Sequence, residues 1–251
     1  TGYGSIDSMK RGYKFVTSPR IGLAWSDDLL HWQKDPRSPI YAGSGIEGTP
    51  DAAGASGPFL WTERGTYYLF YFGVTGRGYE KGTKTLNVAT STDLTSWKRY
   101  EGNPIIAPSG TGWRQDAIWH PNIARDGETY YLFFNASGVV GGHAEEFIGY
   151  ASSTDLLHWM VDDRHSPLLT GSGTAGAWDA SGRAGDPSVF RAGGLWYMAW
   201  YSWDKKNTSD GMAWTTEAEF PLGWRIYDRN PVLRVGEPGS EDALHAGKPF
   251  V

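Results

Sequence analysis

Cysteine is missing altogether from these 251 residues, which excludes disulfide bridges and thiolate-held metal ions. Long apolar runs are missing too: nothing approaches the roughly 18 consecutive residues that a membrane-crossing helix requires. Positive charge is in deficit, with 23 Lys and Arg against 28 Asp and Glu and a net charge of −5. Without a basic footprint, neither nucleic acid nor a membrane is an expected partner. Linkers and charge runs are absent as well, so the sequence predicts one domain over residues 1–251. What the chain has in quantity is 13 Trp and 14 Tyr together with 34 Gly. That combination suits packed sheets joined by tight turns.

The chain repeats itself. Gly149-Tyr150-Ala151-Ser152-Ser153-Thr154-Asp155-Leu156-Leu157-His158-Trp159 echoes Gly22 to Trp32 and Asn87 to Trp97, and a degenerate copy runs from Gly211 to Trp224. The closing tryptophans, Trp32, Trp97, Trp159 and Trp224, are separated by 65, 62 and 65 residues. Each is followed by a proline with an apolar tail (Pro39, Pro104, Pro167, Pro231) and then by an Asp-Ala pair at Asp51, Asp116, Asp179 and Asp242. A new strand opens at Pro58, Pro121, Pro187 and Pro249, and a Gly turn with an aromatic strand follows the first three. A period this long, carrying four short strands, is that of a propeller blade and not of a helical solenoid. The expected fold is all-β, a five-bladed β-propeller of four-stranded antiparallel blades with incomplete first and last blades.

On this spacing, residues 1–46 are a partial blade, about 47–110, 111–173 and 174–236 are complete blades, and 237–251 open a further one at Lys248-Pro249-Phe250-Val251. The chain begins where a second strand should be ending, as if cut at both ends. Cut propellers expose unpaired strand edges, which predicts a homo-oligomer formed through them. Two insertions separate second and third strands: Gly73 to Thr85, with Arg77, Tyr79, Glu80 and Lys81, and Gly138 to Glu146, with His143, Glu145 and Glu146. Both read as long loops, which inside a blade are often functional.

Repetition also sorts the residues. A residue that recurs in each blade builds the blade, and one that departs is free to serve a site. Asp116 and Asp179 read first as acceptors for backbone N–H groups. The positions just before the strand prolines do not recur: Gly57, His120, Asp186 and Lys248. Asp186 alone puts a carboxylate there. His120 and His245 could act as acid, substrate ligand or metal ligand. Trp119, Trp178 and Arg183 flank the same openings, where an indole can stack on a sugar and a guanidinium can hold its hydroxyls.

Gly185-Asp186-Pro187-Ser188-Val189-Phe190, with Gly194-Leu195-Trp196-Tyr197-Met198, resembles the blade opening of five-bladed propeller glycoside hydrolases of families 43 and 32. Trp119-His120-Pro121-Asn122-Ile123 resembles another blade of that group, and the Ala-x-Ser-x-Asp-Leu-x-x-Trp repeat extends the resemblance over essentially the whole chain. It implies hydrolysis of glycosidic bonds in an oligo- or polysaccharide by carboxylates that converge on the axial funnel. Asp186 would stabilise the transition state or tune the acid. Where the group carries a base in Asp-Pro, this chain has Ser56-Gly57-Pro58 with Asp51 upstream. Where the group carries an acid Glu, it has His245-Ala246-Gly247-Lys248-Pro249 with Glu241 and Asp242 upstream. The expected catalytic set is therefore Asp186, Asp51, Asp242 and His245, with Trp119, His120, Asp116, Trp178, Arg183 and Lys248 contacting a carbohydrate substrate. No cofactor is required, and a structural cation such as calcium in the central channel is compatible with this scheme. Two rival readings remain: a non-catalytic sugar-binding propeller, and a glycoside phosphorylase using Arg183, Lys248 and His245 to hold phosphate.

Overall fold

The computed structural model describes residues 18–76, 82–243 and 245–250. Residues 1–17 of the partial blade, Arg77, Tyr79, Glu80 and Lys81 of the first insertion, and Val251 lie outside the described residues. The chain divides into two compact units, Thr1–Ala107 and Pro108–Val251.

In the first unit β1 (Ala24–Trp25) pairs with β2 (Gln33–Lys34), and β3 (Gly54–Glu63), β4 (Thr66–Val74), β5 (Lys84–Ser91) and β6 (Lys98–Arg99) form an antiparallel meander. The second unit holds two more meanders of the same design. One is β7 (Ala117–Asp126), β8 (Thr129–Val140), β9 (His143–Ser153) and β10 (Met160–Val161); the other is β11 (Gly185–Ala192), β12 (Leu195–Trp203), β13 (Thr208–Thr216) and β14 (Arg225–Ile226). Among the described residues the only helical turn is Gly112–Arg114. The architecture is all-β, as the period predicts. The opening strand expected at Lys248 does not form among the described residues. A strand needs a hydrogen-bonded neighbour along its length, and this segment touches β13 through one parallel bridge, Thr208 to His245.

The recurring motif is a side-chain-capped turn. Asp93 Oδ1 accepts the N–H groups of Thr95 (2.8 Å) and Ser96 (2.7 Å), and Asp155 Oδ1 those of Leu157 (2.9 Å) and His158 (2.8 Å). This short acceptor supplies the backbone with partners that no strand provides there. The closing indole then donates back across the turn, Trp97 to the Leu94 carbonyl and Trp159 to that of Leu156, both at 3.1 Å. The residue before each following proline ties the chain to the third strand: Asn103 exchanges two hydrogen bonds with the backbone of Val88, and Asn230 two with Met212, all at 2.9 Å.

One irregularity recurs in all three meanders. The first strand bulges at its proline, between Ser56 and Phe59, Trp119 and Asn122, and Gly185 and Ser188. In each case two residues face one on the second strand, and the first of the two is left-handed: φ is 56° at Gly57, 45° at His120 and 50° at Asp186. Lys248, before Pro249, has φ 68°. Proline disfavours the right-handed helical region for its predecessor, and a bulge re-aims the side chain that it carries. His120 and Asp186 are thereby turned out of the alternation of their strands.

The insertion Gly138 to Glu146 is not a loop. β8 and β9 remain paired out to Val140 and His143, and Gly141-Gly142 closes the hairpin with φ 58° and 83°. A two-residue turn with both φ positive matches the twist of the strands, and glycine adopts it without steric cost. Glu145 and Glu146 consequently lie on a regular strand.

The second unit's core joins its two sheets: Phe133, Ile148, Trp196, Met198, Trp200 and Phe220 are buried together, and Phe220 stacks on Trp196 with ring centroids 4.1 Å apart. Each such side chain removed from water contributes roughly 1.5–3 kcal/mol. The first unit's core, around Ile21, Leu69 and Tyr71, encloses a polar knot. Asp51 is fully buried; its Oδ2 accepts the hydroxyls of Tyr71 (2.7 Å) and Tyr41 (3.1 Å), and its Oδ1 the Nε–H of Arg99 (3.0 Å). Its oxygens are thus engaged in holding the unit together. Asp51→Ala should strand the Arg99 guanidinium, which is 24% exposed, and cost about 3–5 kcal/mol. Urea unfolding reads this directly, and an unchanged midpoint would reject the structural role.

Candidate active site

Three bulged or left-handed residues meet in the second unit. Asp186 lies at the first bulge position of β11, buried, with Oδ2 accepting a hydrogen bond from Lys248 Nζ at 2.8 Å. Its Oδ1 is 3.3 Å from His120 Nε2 on β7. The two first strands are held side by side by Asn122, whose Oδ1 accepts the Val189 N–H at 2.9 Å. Burial pushes the His120 imidazole down to about 4, with Lys248 adding to the effect and Asp186 opposing it. His120 is therefore neutral near pH 7.

Two further carboxyl groups belong to this cluster. Glu146 on β9 accepts the Tyr201 hydroxyl at 3.1 Å and lies 3.8 Å from Arg183 Nη1. Gly185 makes room for it: a Cβ there would sit 3.2 Å from Glu146 Oε2 and 2.5 Å from Tyr201 Cε1. Burial raises the Glu146 pKa, and the negative charge of Asp186 adds to the rise against the pull of Arg183 and Tyr201. Asp210 on β13 is buried, its Oδ1 has no hydrogen-bond partner, and burial with the Asp186 charge pushes it up to about 6. Buried carboxyls shifted upward beside a further carboxylate are a feature of sites of proton transfer.

The residues expected from the sequence divide. Asp186, His120 and Lys248 come together, and Arg183 joins them through Glu146. Trp119 lies on β7 next to His120. Trp178 is spent on packing: its ring centroid is 5.9 Å from that of Trp200, and a Cβ on Gly211 would lie 2.5 Å from its Cη2. Asp116 is exposed and accepts from its neighbour Gln115 at 3.1 Å. Asp179 accepts the Ser172 backbone N–H at 2.9 Å, as a turn-capping residue should. Asp242 sits exposed in a turn, accepting the Ser240 hydroxyl at 2.6 Å, and His245 is exposed beside β13. No side-chain contact among the described residues joins either of them to Asp186. Nor do any three His, Asp or Glu side chains among those residues converge as a metal-binding set.

Asp210 was missed as a candidate, and Glu146 was read as part of a loop and left out of the catalytic set, although the repeat marks both. Equivalent backbone bridges pair Ile21 with Tyr41, Leu86 with Ile106, Ile148 with Leu169 and Asp210 with Leu233. A carboxylate thus stands where three sister positions are aliphatic. Two residues earlier, Glu146 stands where the other full sheets have Lys84 and Thr208.

Asp210 makes a clear pH prediction. Its folded pKa lies above its unfolded value, so the folded state holds its proton more tightly. The stability linked to that proton is complete below about pH 4 and is lost as pH rises through about 6. Asp210→Asn, which stays uncharged, should exceed the wild type in stability by up to about 3 kcal/mol at pH 8, and the gap should close near pH 4. Thermal unfolding across that range checks it; a gap independent of pH would contradict it.

One inner-strand bulge, on β11, thus carries a carboxylate, and third strands of two four-stranded meanders bring Glu146 and Asp210 within its field. Residues 21–180 match the glycosyl hydrolases family 32 N-terminal domain, and the chain belongs to that family. Among solved structures, a thermostable family-43 glycoside hydrolase is similar over 88% of this chain and 68% of its own, with 19% identity and a TM-score of 0.65. The family-32 β-fructofuranosidase of Bombyx mori is similar over 83% of this chain and 42% of its own, at 17% identity and TM-score 0.60. A β-1,2-mannobiose phosphorylase from Listeria innocua is similar over 91% and 58%, at 19% identity and TM-score 0.64.

Proposed function

We propose that this glycosidase cleaves its carbohydrate substrate with Glu146 as proton donor and Asp186 as the ionised carboxylate facing the sugar ring. The carrying observation is the asymmetry between the two groups. Asp186 is ion-paired to Lys248 at 2.8 Å and lies 3.3 Å from His120 Nε2. Glu146 is pushed towards its protonated form by burial and by the Asp186 charge itself. Glycosidic cleavage needs this pairing: one carboxyl delivers a proton to the departing oxygen while the other carries negative charge opposite an oxocarbenium-like transition state.

The same geometry favours water over phosphate as the attacking group. A phosphorylase needs unspent cations at the site. Here Arg183 is engaged by Glu145 and Glu146, Lys248 by Asp186, and burial keeps His120 neutral.

The test is a panel of 4-nitrophenyl arabinofuranosides, xylosides, fructofuranosides, mannosides, galactosides and glucosides, with the matching disaccharides. Asp186→Asn should lower turnover roughly 10²–10³-fold on every cleaved substrate, since it removes transition-state charge. Glu146→Gln should lower it roughly 10²–10⁴-fold on disaccharides. Its effect on nitrophenyl glycosides should be smaller, because nitrophenolate departs without protonation, and the alkaline limb of the wild-type pH profile should disappear. Equal loss on both substrate types would remove Glu146 from the donor role. Sugar binding without cleavage by the wild type would favour the binding-only reading.

A further inference from the structure

One transverse row of residues changes character from sheet to sheet. In the first full sheet Ser56 pairs with Phe72 and Phe72 with Leu86; in the next, Trp119 pairs with Asn135 and Asn135 with Ile148; in the last, Gly185 pairs with Tyr201 and Tyr201 with Asp210. Residues paired in this way lie opposite each other on one face of their sheet. Where the first sheet has a phenylalanine at the centre of the row, the two sheets around the candidate site have an amide and a phenol. Both reach the same atom: Glu146 Oε2 accepts the Tyr201 hydroxyl at 3.1 Å and an Asn135 Nδ2–H at 3.4 Å.

Neither contact follows from the needs of the sheet. Asn135 is 2% exposed and its Oδ1 has no hydrogen-bond partner among the described residues, a loss that an apolar residue in its place would avoid. Tyr201 needs room, and Gly185 supplies it. Gly185 has no left-handed φ, so its backbone does not call for glycine, but a Cβ there would stand 2.5 Å from Tyr201 Cε1. Burial and the charges of Glu146 and Asp186 raise the Tyr201 pKa, so the hydroxyl keeps the proton that it donates. The two donors leave the oxygens of Glu146 unequal. Oε2 accepts twice, whereas Oε1 accepts no hydrogen bond among the described residues, with Arg183 Nη1 3.8 Å away and beyond hydrogen-bonding distance. A neutral carboxyl accepts best at its carbonyl oxygen, which places the proton of the acid form on Oε1.

We propose that Asn135 and Tyr201 are positioning residues that clamp Glu146 by Oε2, so that Oε1 carries the acid's proton and presents it to the departing glycosidic oxygen. This rests on the assignment of Glu146 as donor. The charged groups that face Glu146 are Asp186 and Arg183, the latter shared with Glu145. Burial and Asp186 favour the acid form, while Arg183, Tyr201 and Asn135 favour the ionised one. The clamp therefore also keeps burial from holding the proton too tightly to be given up, and removing either donor raises the Glu146 pKa further.

The test is the carboxyl resonance of Glu146 in protein made with glutamate carrying carbon-13 at Cδ, assigned by its loss in Glu146→Gln and titrated with pH. Tyr201→Phe removes one oxygen and keeps the ring, and Asn135→Leu replaces a buried amide by an apolar group of similar size, so both should fold. Each should raise the midpoint by about one pH unit, the worth of a hydrogen bond to a charged group. The alkaline limb of kcat on disaccharides should move by the same amount, with KM within about twofold of wild type. A midpoint within about 0.3 units of wild type in both variants would overturn the clamp and leave Glu146 as donor; residues needed only for packing would lower stability without moving it. Raised midpoints together with an alkaline limb that survives Glu146→Gln, or with a wild type that cleaves no member of the panel, would overturn the donor assignment instead, and the catalytic role of the clamp with it.

Discussion

The structure depends on one backbone constraint, the left-handed residue held before proline where a first strand begins. Non-glycine residues in that conformation cost about 1–3 kcal/mol each, and His120, Asp186 and Lys248 all adopt it. The cost is tolerated because the surrounding sheet over-determines the bulge. β7 and β11 are fixed on either side of it by regular pairing with β8 and β12, and the aromatic core behind those strands offsets the strain. With regular pleating instead, each of these side chains would follow the alternation of its strand. The bulge belongs to the scaffold, since it recurs in every full sheet; only the side chain placed on it varies. The candidate site is thus grafted onto a repeated irregularity of the fold.

Around that irregularity the charges are arranged in opposition. Asp186 is ion-paired with Lys248 and flanked by His120, and its charge acts on Glu146 and Asp210. Like charges in a water-poor place cannot all ionise, so the protons are held unequally. Asp210 bears the most visible cost: a buried oxygen without a partner, at a position where sister sheets bury leucine or isoleucine. Natural proteins accept such losses of stability where chemistry gains from them. Asp51 makes the contrast, because there two tyrosine hydroxyls and an arginine saturate an equally buried carboxylate.

The extended arm shows how the same scaffold is adapted locally. Two glycines with positive φ turn what the composition marks as a loop into a continued ladder. The strand period then sends Glu145 and Glu146 to opposite faces. One lines an open cleft and the other enters the carboxylate cluster, with Arg183 reaching both.

The sequence by itself determined the scaffold. Four strands per unit, the Asp-capped turn with its closing tryptophan, the aromatic second strand and the X-Pro start are all local signals, legible within a few residues of one another. It also singled out Asp186, because departure from a repeat is visible without knowing what lies nearby. Tertiary structure decided the rest. Asp51, Asp242 and His245 were favoured for lying near expected places along the chain, yet Asp51 is enclosed by residues as far along the chain as Arg99, and Asp242 and His245 make no side-chain contact with Asp186 among the described residues. Glu146 and Asp210 come from third strands of two different sheets, and only sheet pairing and the packing of β7 against β11 bring them into the field of Asp186. Burial and the Asp186 charge are properties of that packing, and they raise the pKa of Glu146 and Asp210; no order of residues along the chain encodes them.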